Sequence, residues 1–534
     1  MSIVSLSFMT FLAVVAILYY AIPKRFQWIL LLAASCVFYL SLTPKGAVYV
    51  LVTVSTIYFG TNWMQQLLER QKTYIKENRE TLSKDQKKEY KERIHKQRKR
   101  IMLLVLLINI GLLCVFKYLH FAIDQYNSIA LFFGSPKIDN SFKLIVPLGI
   151  SFYTFQSVGY LLDVYWEKQS AEKNYFKVML FITFFPQITQ GPISQFDQLS
   201  SQLFSEHSFE YHHFAYGVQR ILWGYMKKMV IADTLAPYVK DLFQNYSSYS
   251  GISVFIGAFF YSIQIYADFS GYMDIMCGFC QVLGIQLTEN FERPYFSKSV
   301  TEYWRRWHIS LGAWFKNYIY YAIGMSNWNR QLAFKVKRRF GKRLAYTIPA
   351  TVALIIVWLA TGAWHGASWA YIVWGLLNGL FIILSIWMEP VYVRWKSALK
   401  VNEEAWKWRA FQTIRTFILI TFIKVLPEVG TLSEGLGLWK HVFVNHVIPG
   451  SFSELFAYVD LSYNFAVMRF GTAILCTILL FFSSLMQRKK PIRDYYHALP
   501  FVVRITGLVA LAFIIILFGV QSSWGEGGFL YANF

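Results

Sequence analysis

The chain has 534 residues, of which 55% are hydrophobic and 19% aromatic, while only 15% are charged, well short of the roughly one-quarter charged content of soluble domains. Its formal net charge is +22, but the basic residues gather in a few loops and not on one soluble face, which excludes a nucleic-acid binder. Repeated apolar runs of about 20 residues point to an all-α, polytopic membrane protein, read as a single domain over 1–534.

Residues 3–22 are apolar, with no basic stretch before them and no small-residue cleavage site, so they read as a retained span and not a removable signal peptide. Lys24 and Arg25 follow, which by the positive-inside rule places the N-terminus outside. Spans at about 26–43 and 47–66 come next. Residues 69–100 then hold thirteen Lys/Arg against six Asp/Glu without Gly or Pro, the pattern of a cytosolic amphipathic surface helix or, for the outer half, of a solvated charged linker. Span 101–119 exits and 121–143 is a polar outer loop, closing an N-terminal region of about 1–120.

The next region, 145–390, carries the chemistry. The stretch from Val146 to Asp163, with Gln156 inside it, is apolar but studded with Pro, Gly, Ser and Gln, and the run from Phe184 to Pro192 is broken twice by proline. Such segments suit re-entrant backbone that is shielded by protein or lines a cavity. Helices near 212–232, 251–266 and 268–286 follow. Lys335 to Arg343 forms a basic cytosolic loop, and spans at 345–362 and 367–387 flank Trp364-His365-Gly366. In the C-terminal region, 411–534, residues 411–426, 465–485 and 501–519 span, 430–463 form a longer outer loop, and Trp524 to Phe534 end outside. The sum is about eleven or twelve spans plus re-entrant pieces, with no repeated half of the kind many transporters show.

Two histidines stand out. His308 closes Trp304-Arg305-Arg306-Trp307-His308, a segment too arginine-rich to span and suited to an amphipathic or re-entrant helix; by itself it also suits an interfacial anchor. His365 sits between two apolar stretches with glycines on both sides, so its backbone can approach another element closely, although a lone Trp-His-Gly also fits an interfacial turn. Entering from opposite leaflets, the two imidazoles can meet at the waist of a tunnel between two funnels. That arrangement suits acyl transfer, where a hydroxyl needs a general base and a developing oxyanion or thiolate needs a donor. Asp268 and Tyr272 are one helical turn apart and are expected, with Asp163, Asp274 and Arg293, to pair or border the cavity. The ten histidines are scattered, so no metal site is expected, and Cys277-Gly-Phe-Cys280 lacks the second pair that a zinc site requires.

These motifs resemble the membrane-bound O-acyltransferases, in particular the bacterial branch that O-acetylates alginate and other extracellular polysaccharides. The likeness rests on Trp364-His365-Gly366, Trp304 to His308, Phe291-Glu292-Arg293-Pro294-Tyr295, Val146 to Gln156, Gln190-Gly191-Pro192, Asp268 to Tyr272 and the C-terminal Phe529 to Phe534. It implies His365 and His308 as catalytic residues, with Trp364, Trp307, Asp268, Tyr272, Arg293 and Gln156 lining the substrate passage. It also implies a multi-pass protein of the bacterial cytoplasmic membrane with both termini outside. No resident cofactor is implied. The co-substrate is an acyl thioester, acetyl-CoA or an acyl carrier on the cytosolic side, and the acceptor is an extracytoplasmic serine esterase-like (SGNH-type) protein or the polysaccharide. Lys335 to Arg343 either attracts the donor's phosphates or serves only as a topogenic loop. The string Gln187-Ile188-Thr189-Gln190 departs from the more apolar one of this branch, which bears on the polymer modified and not on the reaction. Alternatives are D-alanyl transfer to teichoic acid from a carrier protein, a glycan or solute transporter, and a noncatalytic scaffold.

Overall fold

Helices carry nearly all the regular structure among residues 3–144, 146–456, 459 and 464–520, which the computed structural model describes. The expected outer position of 524–534, and the C-terminal match with it, lie outside the described residues. Among the described residues, seven helices are long and apolar enough to cross a bilayer: Lys24–Leu42, Lys84–Phe132, Gly251–Val282, Asn327–His365, Trp369–Trp387, Phe465–Met486 and Phe501–Phe518. Fewer meet that criterion than the eleven or twelve stretches read from hydropathy, and two of the differences have local reasons. Residues 251–266 and 268–286, expected as two helices, form mostly one 32-residue helix, Gly251–Val282. The first apolar run gives a helix of only 16 residues, Leu6–Ala21, about 24 Å long.

The described residues form two compact units, one drawn from 7–211 with 283–288, the other from 3–6, 212–282 and 289–520. In the first unit, α1 (Leu6–Ala21) and α2 (Gln27–Leu42) precede α3 (Ala47–Glu77) and α4 (Lys84–Phe132). The basic stretch 69–100 is therefore no separate surface helix. It is the end of α3 and the start of α4, folded back on each other with Tyr74 and Tyr90 at 4.5 Å. Ser83 and Gln86 start α4 with a reciprocal capping box. α4 also continues through much of 121–143, which was expected as a loop, because no Gly or Pro occurs between Gly111 and Gly134. α5 (Ile150–Tyr165) is almost wholly buried. Arg98 donates to the carbonyls of Val164 and Tyr165 at its end and pairs with Glu167 at 2.6 Å, supplying a cation where helix carbonyls lack partners.

The proline-broken run 184–192 is buried, as shielded re-entrant backbone should be, and amide side chains satisfy it. Gln156 donates to Phe181 O at 2.7 Å, and Gln187 donates to Pro192 O and Ser194 Oγ at 2.8 and 2.5 Å. The polar departure at Gln187 thus has a structural use, because a broken backbone away from water needs donors from nearby side chains.

The second unit carries both histidines. It opens with α6 (Tyr211–Tyr225), a π-helical turn at Met226–Ala232 and α7 (Asp233–Gln244), packed on α8 (Gly251–Val282). α9 (Val300–Arg306) and α10 (Ile309–Phe315) are short helices interrupted at Trp307 and His308. α11 (Asn327–His365) is broken at Gly341, where φ is 84°, so the basic patch 335–343 straddles a helical bend and is not a loop. α12 (Trp369–Trp387) returns along α11, α13 (Trp406–Val425) follows, and the helix Leu432–Val444 falls within the stretch expected as a longer outer loop.

α11 and α12 approach so closely because glycine faces glycine. A Cβ on Gly375 would lie 2.4 Å from Trp358 O and 2.8 Å from Gly362 Cα. Small residues at such crossings let helix backbones touch, which in a bilayer replaces a hydrophobic driving force. Substituting Gly375→Val should cost roughly 3 kcal/mol by overpacking and lower both the yield of monodisperse protein and its thermal aggregation temperature. Gly111→Ala in α4, where nothing lies within 4 Å of the added carbon, is the matched control and should leave both measurements unchanged or raised.

Candidate active site

The site is built on a backbone clamp. Phe291 and Trp307 form an isolated antiparallel bridge, with Glu292 N–H donating to Arg306 O at 2.9 Å and Ile309 N–H to Asn290 O at 3.1 Å. The Asn290 carboxamide accepts the N–H of Ser310 at 2.9 Å, satisfying a donor at the first turn of α10. These bonds pin His308 in the left-handed region, φ 51° and ψ 53°, which a residue with a Cβ adopts only when its surroundings over-determine it. Arg293, at the other end of the clamp, is also left-handed, φ 48°, ahead of Pro294.

His308 is 1% exposed. The Phe269 ring meets it edge-on at 4.8 Å, and the Trp364 indole stands 6.2 Å away. Trp364 lies 5.0 Å from the ring of its neighbour His365, so one indole lies beside both imidazoles. His365 is the last residue of α11, 4% exposed, with Trp374 edge-on at 4.7 Å and Tyr371 nearly parallel at 6.5 Å. A second tryptophan ties the two segments together. Trp304 packs against Trp358 at 4.9 Å and Trp374 at 5.6 Å, and its indole N–H donates to Asn378 Oδ1 at 3.0 Å. The tryptophans of Trp-Arg-Arg-Trp-His thus do different work: Trp304 anchors in the α11–α12 pair, while Trp307 packs behind His308.

A cavity of about 600 Å³ adjoins the clamp, with Asn290, Phe291 and Arg293 in its wall along with Arg220, Lys227 and Arg493. α8 contributes Tyr266, Ser270 and Asp274, successive turns of one face. Asp268 and Tyr272, expected at the cavity edge, sit two residues off that face, 1% and 0% exposed. Asp268 binds Lys228 at 2.6 Å. The periodicity was right and its phase was not, because the partner of Asp268 comes from a helix whose irregularity hydropathy does not reveal. Gln156 belongs to the first unit, in the amide cluster described above.

That irregularity is the π-turn Met226–Ala232. One extra residue in the turn lets consecutive lysines both aim at α8. Lys228 reaches Asp268 and Asp233 at 2.6 and 2.7 Å, while Lys227 reaches Asp274 at 2.6 Å and Ser270 Oγ at 2.9 Å. Arg220 completes the network, bonding Asp274 at 2.8 Å and Glu289 through both terminal nitrogens. The signal in the sequence was the pair Lys227-Lys228 in an otherwise apolar run. Lys424, one of two basic residues with Arg415 in the apolar run 411–426, gave the same kind of signal. Its Nζ lies 3.4 Å from the Trp307 ring centroid.

Residues 167–425 match the profile of the family described as MBOAT, membrane-bound O-acyltransferase. The chain is 31% identical over 388 residues to the probable alginate O-acetylase AlgI of Pseudomonas aeruginosa, an alignment covering 73% of this chain and 67% of that one. It is 31% identical to the peptidoglycan O-acetyltransferase of Helicobacter pylori over 53% of this chain and 54% of that protein. Similarity extends, at 26% identity, to the teichoic acid D-alanyltransferase of Bacillus subtilis, over 45% of this chain and 59% of that one.

Burial pushes the His308 imidazole well below its ordinary pKa. The unfolded chain takes up that proton near pH 6.5 and the folded chain does not, so stability falls as pH drops below that value, by up to about 1.4 kcal/mol per unit. Thermal aggregation followed from pH 7.5 to 5.5 should show a smaller loss in His308→Gln than in the wild type; equal losses would show that His308 does not set the slope.

Proposed function

The chain belongs to the membrane-bound O-acyltransferase family, and from that premise we propose that this multi-pass acyltransferase moves an acetyl group from a cytosolic thioester, acetyl-CoA, to an extracytoplasmic hydroxyl during O-acetylation of a cell-surface or secreted polysaccharide. The observation that carries this reading is the placement of His308 and His365 beside one buried indole, Trp364, with His308 held by a clamp whose Asn290, Phe291 and Arg293 stand in a cavity wall together with three further basic side chains. In the chemistry proposed, one imidazole takes the proton of the acceptor hydroxyl as oxygen attacks the acetyl carbon. The carbon–sulfur bond then breaks, the proton held by that base passes to the leaving thiolate, and the other, neutral imidazole donates its N–H as a hydrogen bond to the carbonyl oxygen. A neutral His308 is in the right state to accept a proton or to donate its N–H to the carbonyl oxygen. His308, joined through Asn290 to the cavity wall, is assigned the donor side; His365 is assigned the acceptor side.

The reading places the N-terminus outside in the bacterial cytoplasmic membrane, the thioester arm entering from the cytosol, and a tunnel joining the two sides at the histidines. An SGNH-type esterase-like protein suits the role of immediate acceptor. D-alanyl transfer from a carrier protein is the second reading, supported by the similarity to a teichoic acid D-alanyltransferase.

Purified protein in lipid nanodiscs, given labelled acetyl-CoA or D-alanyl carrier protein in parallel, separates these readings. Consumption of acetyl-CoA alone is the expected result, and use of the D-alanyl carrier alone would replace it with the second reading. His365→Ala and His308→Ala should each lower acyl transfer about 10²-fold or more while leaving expression intact. Full turnover in either variant would remove that histidine from the chemistry.

A further inference from the structure

α13 ends beside both histidine-bearing segments. Lys424, 6% exposed, aims Nζ at an aromatic wall: the ring centroids of Trp307, Tyr295 and Tyr303 lie 3.4, 5.0 and 5.3 Å away. It also donates to Tyr295 Oη at 3.0 Å, and Tyr295 in turn donates to the carbonyl of Ser262 on α8. Trp307 is the residue before His308, and Tyr295 follows the Arg293–Pro294 turn, so this one amine grips both strands of the clamp. Four residues on, past the end of the helix, Glu428 faces the other histidine. Tyr371 Oη lies 3.5 Å from Glu428 Oε1, and the Tyr371 ring lies parallel to His365.

We propose that Lys424 and Glu428 are a pair of positioning residues of opposite charge, Lys424 setting His308 through Trp307 and Tyr295, and Glu428 setting His365 through Tyr371. A lysine stem among this many rings could be fully replaced by an apolar side chain if packing were its only role, so retaining its charged end points to a use for it. Three π faces and the Tyr295 hydroxyl supply the contacts of its amine end. Placing two cooperating imidazoles from one rigid helix end fixes their separation, and a misplacement of about 1 Å at a reacting group costs on the order of 10²-fold in rate. The pair touches no reacting atom in this account; it acts through the rings it holds. The inference rests on the acyl-transfer reading above.

The test uses the full chain in nanodiscs with labelled acetyl-CoA. Lys424→Met, which keeps the stem and removes the cation, should lower kcat by about tenfold or more with donor KM within about twofold, and Lys424→Arg should recover most of that loss. Lys424→Met and Lys424→Arg that are equally inactive, or Lys424→Met at wild-type kcat, would overturn the role assigned to the cation. A second readout needs no donor. Carbethoxylation of each histidine, followed by peptide mass spectrometry, should rise about threefold or more at His308 in Lys424→Met and at His365 in Glu428→Gln and Tyr371→Phe, as loosened supports open locally. Unchanged labelling in all three would overturn the proposal. A wild type inert toward acetyl-CoA defeats the donor assignment, and the labelling result then decides the positioning roles by itself. Tyr371→Phe removes one hydroxyl and buries no new polar atom, so it keeps the test open should Lys424→Met fail to accumulate.

Discussion

A charge buried among lipid and aromatic rings has to find its partner within the protein, since neither surrounding hydrates it, and the second unit is arranged around that demand. Three basic side chains from the α6–π-turn segment meet four carboxylates in a two-part network, Arg220 and Lys227 with Asp274 and Glu289, and Lys228 with Asp233 and Asp268. The network explains the π-turn: a regular α-helix points consecutive residues about 100° apart, and two adjacent lysines could not both reach one neighbouring helix. It also sets the rotation of α8, and with it which face of that helix, Tyr266, Ser270 and Asp274, is turned toward the cavity.

The same demand applies to backbone groups. Interrupting a helix at His308 leaves amides and carbonyls without their usual partners, and the strand-like pairing with residues 290–292 supplies replacements. Two stretches that look unrelated in the sequence, Asn290 to Tyr295 and Tyr303 to Ser310, are therefore one structural object. The left-handed conformation at His308 is tolerable because hydrogen bonds and the rings of Phe269, Phe291 and Trp307 leave it no alternative. On the His365 side, rigidity comes from contact between helices: Gly362 and Gly375 bring α11 and α12 together, and Trp304 packs against Trp358 and Trp374 on that pair.

Much of this was legible in the residues themselves. Composition and apolar periodicity determined an all-helical, multi-pass membrane protein, because a bilayer permits little else over runs of about 20 apolar residues. Trp364-His365-Gly366, the Arg/Trp-rich string before His308 and the family resemblance singled out the histidines, since polar groups are costly in such surroundings and their presence is informative. The shielded character of 146–163 and 184–192 was readable for the same reason. Only tertiary structure decided the pairings: that Asp268 meets Lys228, that Trp304 anchors on α11 and α12, that the basic stretch 69–100 folds into two helix ends, and that Lys424 meets Trp307 while Glu428 meets Tyr371. Hydropathy registers how apolar a stretch is and periodicity which residues share a face, but neither specifies the rotation of one helix about its axis relative to the next. That rotation follows from glycine contacts, a π-turn and ion pairs between residues 40 to 69 positions apart in the chain, which local pattern does not encode.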